Sequence, residues 1–121
     1  MKVSQTEKCT LIVDDQSDVV LFLMKLTHEY KTFEKQNIVV DLTLHEAIAV
    51  KQINGFLKLS DIHKKNKRSF VIVANNINFT AISEKLTVVP TIQEAHDTIE
   101  MEEIERDLGF DSHHDYQKSR K

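Results

Sequence analysis

The sequence predicts an α/β fold: a single domain with a four- or five-stranded, mostly parallel or mixed sheet packed against helices. Three observations predict it. Short apolar, β-branched runs recur along the chain, at Cys9-Thr10-Leu11-Ile12-Val13, Ile38-Val39-Val40 and Phe70-Val71-Ile72-Val73. Longer segments between them carry apolar residues at three- and four-residue spacing, the period of a helix face. The two kinds of segment alternate, which is the pattern of strand–helix–strand units in a parallel sheet. A length of 121 residues, 40% hydrophobic and 29% charged, suits one globular domain.

Each element has its own signal. Cys9 to Val13 is a strand, turned by Asp14-Asp15-Gln16, and Lys2 to Gln5 is expected to pair with it as a weak edge strand. Ser17 or Asp18 caps the next helix by accepting a backbone hydrogen bond. Val19, Phe22, Leu23, Leu26, Tyr30 and Phe33 give that helix one apolar face. Asn37-Ile38-Val39-Val40-Asp41-Leu42-Thr43 is a near-continuous apolar strand, as in a buried sheet, ending in an acidic, hydroxyl-bearing turn. One helix is then expected from about Ala49, with Val50, Ile53, Phe56, Leu57, Ser60 and Ile62 inward. Gly55 inside it costs about 1 kcal/mol relative to alanine, which reads as close packing on the sheet. Lys64, Lys65, Lys67 and Arg68 end it, where positive charge suits the helix dipole.

Residues 69–74 form the clearest strand, turned by Asn75-Asn76. Residues 78–84 are expected to make one or two helical turns. Leu86-Thr87-Val88-Val89 is a last short strand stopped by Pro90. Thr91 and Glu94 form a capping box that starts a C-terminal helix at about 91–108. The domain is expected to span residues 1–110. Residues 111–121 are polar, without periodicity, and expected to form a disordered tail.

Composition removes several functions. The net charge of −3 gives no global basic footprint for nucleic acid. The only glycines, Gly55 and Gly109, cannot build a phosphate-cradling loop. A lone cysteine, Cys9, makes neither an internal disulfide nor a cysteine-based zinc site and fits a reducing cytosol. The first eight residues lack the apolar core of a signal peptide. The longest apolar run, six residues from Val19 to Met24, is too short to span a bilayer. A soluble, cytoplasmic protein is expected.

At Ile38 to Thr43 the chain resembles the central strand of a STAS domain, the fold of anti-sigma-factor antagonists. In that family an aspartate-leucine-serine turn leads to an aspartate-serine-serine-glycine motif at the next helix start. Asp41-Leu42-Thr43 matches the first part. The second falls at Ala49-Val50-Lys51-Gln52, where all four residues differ. Phosphorylating a serine there would add roughly −1.5 to −2 charge and expel a partner. The resemblance therefore implies partner docking without that switch, around Thr43, His45, Glu46, Lys51 and Asn54.

The stretch from Val88 to Phe110 is similar to the tail of a group of short bacterial STAS-like proteins often labelled ribonuclease Z. True ribonuclease Z needs alternating histidines and an aspartate to hold two metals about 3.5–4 Å apart. Here only His113-His114-Asp115 is distantly similar, with adjacent histidines and none after the aspartate. The nuclease label does not fit, and no enzyme activity is expected.

The last helix carries two apolar stripes. Ile92, Ala95 and Ile99 share one face. Met101, Ile104 and Leu108, extended by Phe110, point nearly opposite at about 100° per residue. Either the helix kinks near Glu100, or its second half projects and offers the acid-rimmed strip to a partner or a second copy. An acidic rim disfavours membrane docking, because interfacial helices carry basic polar faces.

The remaining candidates have bland readings. Asp14, Asp15 and Asp41 follow strands, where ligand crevices lie in parallel sheets, but no nucleophile accompanies them and turn or capping roles suffice. His96 with Glu100, His28, and His45 beside Glu46 are read as surface residues, and Cys9 as a small buried hydrophobe. The basic cluster has no interleaved aromatic to stack on a base. No cofactor or metal is expected. The residues point to a non-catalytic protein-interaction or regulatory module, with a metal-dependent phosphoester or RNA hydrolase and a small-ligand carrier as the alternatives.

Overall fold

The apolar runs pair into one sheet. In the computed structural model, which describes residues 1–6, 8–16 and 18–109, five strands lie side by side in chain order. They are β1 (Lys2–Gln5), β2 (Cys9–Val13), β3 (Asn37–Asp41), β4 (Phe70–Val73) and β5 (Thr87–Val89). β1 runs antiparallel to β2, and every other pair is parallel. The sheet is therefore mixed, and the fold is the expected α/β class.

Side-chain alternation along each strand feeds two cores. Ile38, Val40, Phe70 and Ile72 face α1 (Val19–Phe33), α2 (Val50–Asn54) and α3 (Leu57–Lys65), burying Phe22, Leu26, Ile53, Phe56 and Leu59. Val39, Val71 and Val73 face the other way, against Ala95 and Ile99 of α4 (Ile92–Asp107). α4 thus covers alone the face that the other helices leave bare. Cys9 joins this second core as a buried small hydrophobe.

The caps follow the sequence. Asp18 Oδ1 accepts from the Leu21 amide at 3.1 Å, and Thr91 Oγ1 accepts from the Glu94 amide at 3.1 Å. A single turn of 3₁₀ helix spans Phe79–Ala81.

Two expectations need correction. The helix after β3 is not continuous: it breaks between Asn54 and Leu57. Gly55 is at that break, and a Cβ there would lie 3.1 Å from the Gln52 carbonyl and 3.4 Å from Leu23 Cδ2. The glycine therefore packs toward α1 rather than the sheet. The buried side carries across the break: at about 100° per residue Leu59, Ser60 and His63 fall on the same side as Ile53 and Phe56, while Ile62 falls opposite and is exposed.

The C-terminal helix is one uninterrupted element, with no break at Glu100. Met101, Ile104 and Leu108 are 55–67% exposed. Phe110 and residues 111–121 lie outside the described residues. Among the described residues, no helix is long and apolar enough to cross a membrane.

Candidate functional site

The carboxyl ends of β2 and β3 carry five of the residues singled out by sequence: Asp14, Asp15, Asp41, Thr43 and His45. Asp14 follows β2 and is buried. Its Oδ1 accepts from the Gln16 amide at 3.1 Å, and its Oδ2 lies 2.6 Å from His45 Nε2. This pair ties the turn after β3 to the end of β2. In the same turn, Asp41 Oδ1 accepts from the Thr43 amide at 2.9 Å and from the Thr43 hydroxyl at 2.6 Å. An aspartate bonded two residues ahead closes a local turn. Asp15 binds the Met1 ammonium at 2.7 Å, and this bond holds its carboxyl below the usual range.

These groups are committed to one another, and the sole cysteine stands elsewhere. Cys9 opens β2, at the opposite end of that strand from Asp14 and His45. The geometry here braces the turn after β3 against the end of β2.

The expected docking set after Asp41 divides. Thr43 and His45 point into the brace. Asn54 Oδ1 accepts from the Ser83 amide at 3.1 Å, tying α2 to the loop before β5. Glu46 and Lys51 are exposed.

The second candidate surface is built from the inside out. The first turns of α4 bury Ala95 and Ile99. In the later turns the same inner side becomes polar. Glu102 accepts a short hydrogen bond from the Ser69 hydroxyl, and Glu103 Oε2 accepts from Asn37 Nδ2 at 2.7 Å. Arg106 Nη2 donates to Ser69 Oγ at 3.2 Å and reaches Asn37 Oδ1 at 3.5 Å. Asn37 Oδ1 also accepts from the Ser69 amide at 2.8 Å. Asn37 and Ser69, both buried, stand just before or at the start of β3 and β4 and anchor the helix there. The outer strip of Met101, Ile104 and Leu108 is therefore exposed on a helix whose inner side is already held.

A second buried network was missed by sequence. His63 Nε2 lies 2.7 Å from the Gln36 carbonyl, which can only accept, so this nitrogen carries the proton. Nδ1 then accepts from the Tyr30 hydroxyl at 2.6 Å, while Asn66 Nδ2 donates to the same oxygen at 3.2 Å. Burial pushes the His63 pKa down to about 4 and raises that of Tyr30. The network joins α1, the start of β3 and α3. Histidine spacing alone gives no sign of it.

Two members of the basic cluster have partners of their own. Lys64 Nζ donates to the Lys85 carbonyl at 2.9 Å, and its burial lowers its pKa. Lys65 pairs with Asp61 at 3.3 Å one helical turn away. His28 and His96 are exposed. Among the described residues, no three of His, Cys, Asp and Glu stand where they could hold one metal ion.

What fold and site define together is a small α/β domain whose distinctive surface is an acid-rimmed apolar helix face. No family model matches the chain, and no curated protein matches it at a significant level.

Proposed function

We propose that this chain is a non-catalytic protein-interaction or regulatory module of STAS type, lacking the usual phosphorylation switch and working in the cytoplasm. One observation carries the interaction reading. Met101, Ile104 and Leu108 face solvent on a helix whose inner side is held by Ala95, Ile99, Asn37 and Ser69. An apolar strip that the domain does not bury itself marks a docking surface. Support for the STAS type comes from Asp41-Leu42-Thr43 at the carboxyl end of β3, ahead of a helix that starts with Val50-Lys51.

The test is a tagged pull-down from native lysate, read by mass spectrometry, with a Met101→Glu/Ile104→Glu double variant as control. A stoichiometric partner captured by the parent and lost by the variant is the expected result. Equal recovery with both forms would move the docking surface away from α4.

A second reading, a small-ligand carrier, has one observation in its favour. An open groove of about 760 Å³ lies at the end of β2, lined by Met1, Asp14, Gln16 and residues of α1. Native mass spectrometry of the purified chain would show a copurified ligand as an added mass, and the bare chain mass would remove this reading.

A further inference from the structure

We infer that the chain assembles head to tail, with the outer face of α4 on one copy seated on the outer face of α1 on the next. The inference rests on the interaction-module reading above and names the partner as a second copy. At about 100° per residue, Val20, Leu21, Met24 and His28 share the side of α1 opposite its buried face. The three apolar members are 58–62% exposed. Exposed Lys25 and Lys31 flank them. This face is an apolar strip with a basic edge.

The α4 strip has the same apolar character and the opposite charge. Exposed Glu94, Asp97 and Glu100, with half-exposed Glu105, surround Met101, Ile104 and Leu108. Pairing α4 with α4 sets carboxylates against carboxylates. Pairing α1 with α1 sets lysines against lysines. Only α1 against α4 buries both strips with opposite charges at the rim, and like-charge juxtaposition discriminates against the other two pairings.

The surface beside α1 also has relief to receive side chains. The groove of about 760 Å³ is lined on this side by Leu21, Phe22, Met24, Lys25 and His28. Two carboxylates line its other end: Asp14, which bonds His45, and Asp18, which caps α1.

Geometry sets the form of the assembly. α1 and α4 pack on opposite faces of the sheet, so each copy carries the two halves of the contact on opposite sides. Such a contact is heterologous, and it extends a chain or closes a ring of several copies. One helix face against another buries less than the roughly 1,200–2,000 Å² of a stable complex. The association is accordingly weak and shows at high concentration.

The experiment measures mass by light scattering and sedimentation from micromolar to millimolar protein, at low and high salt. It uses the parent chain, Met24→Glu and the Met101→Glu/Ile104→Glu double variant, with folding checked by circular dichroism. The parent is expected to grow beyond a dimer with concentration, less so at high salt. Each variant is expected to stay monomeric. Their equimolar mixture is expected to form a one-to-one heterodimer and stop there, because each variant keeps one intact face. A Lys25→Glu/Lys31→Glu variant repeats the test on the α1 side should Met24→Glu unfold.

A parent chain that is monomeric at millimolar concentration overturns the inference. So does a Met24→Glu chain that associates like the parent, or a variant mixture that remains monomeric. The interaction-module reading fails separately, in the pull-down, where the partner need not be this chain.

Discussion

His63 shows how a polar side chain can be committed to the core. It is fully buried, and in its neutral form both ring nitrogens have hydrogen-bond partners. Burial disfavours the protonated ring, and Arg68 and Arg106 add repulsion. The folded-state pKa of about 4 lies below the ordinary 6.5, so the unfolded chain binds more protons between these values. Stability from this residue is therefore full above pH 6.5 and lost as pH falls toward 4. The shift corresponds to roughly 3 kcal/mol at most. Urea melts at pH 7, 6, 5 and 4.5 should show this decline in the parent chain. A His63→Asn chain should be less stable at pH 7 and show a flatter decline over the window.

The same residue marks a limit of legibility. His63 sits among His-Lys-Lys in the sequence, where a solvated helix end is the natural reading. Its burial is in phase with Ile53 and Phe56 at about 100° per residue, as is that of Ser60, with Ile62 on the far side. What spacing cannot show is its partners, the Gln36 carbonyl and the Tyr30 hydroxyl, which come from other parts of the chain. Asn37 and Ser69 are similar. Each reads as a polar residue at a strand boundary, but their partners on α4 are 66 and 33 residues away along the chain.

At the scale of the element, α4 is the informative case. Its two apolar stripes are legible from spacing, and both exist. The kink alternative arises because sequence reasoning supplies an apolar partner for every apolar face and overlooks a polar one. The sheet side of the later turns is satisfied by Asn37 and Ser69, so the helix stays docked without burying its second stripe.

A stability comparison follows for α4. Ile99→Ala removes a buried side chain from the smaller core and should cost about 2–4 kcal/mol. Met101→Glu/Ile104→Glu changes exposed positions only and should stay within about 1 kcal/mol of the parent in the same melts. A large loss in the double variant would make the strip part of the core and end its role as a docking face. The strand and helix starts needed no such context. Asp18 and Thr91 cap where their types predict, and the β-branched runs pair where they stand.

For the molecule as a whole, the two cores are unequal in their covering. One face of the sheet is shared by α1, α2 and α3, while α4 alone closes the other. A chain ending at Pro90 would keep all five strands and expose Val39, Val71 and Val73. We expect that shortened chain to aggregate, or to bind a hydrophobic dye strongly, while a chain ending at Gly109 does neither. Equal solubility of the two would mean that the open sheet face is tolerated in water.

The strand order has a consequence for how the protein is made. Each strand lies beside its predecessor, so the sheet can lengthen at one edge as the chain leaves the ribosome, without waiting for a distant partner. The helix that seals the far side is synthesised after all five strands. Until it emerges, the nascent chain carries an open apolar sheet face, the kind of surface that chaperones shield. The hazard in the making of this protein falls in the interval between the emergence of Val89 and the emergence of Ile99.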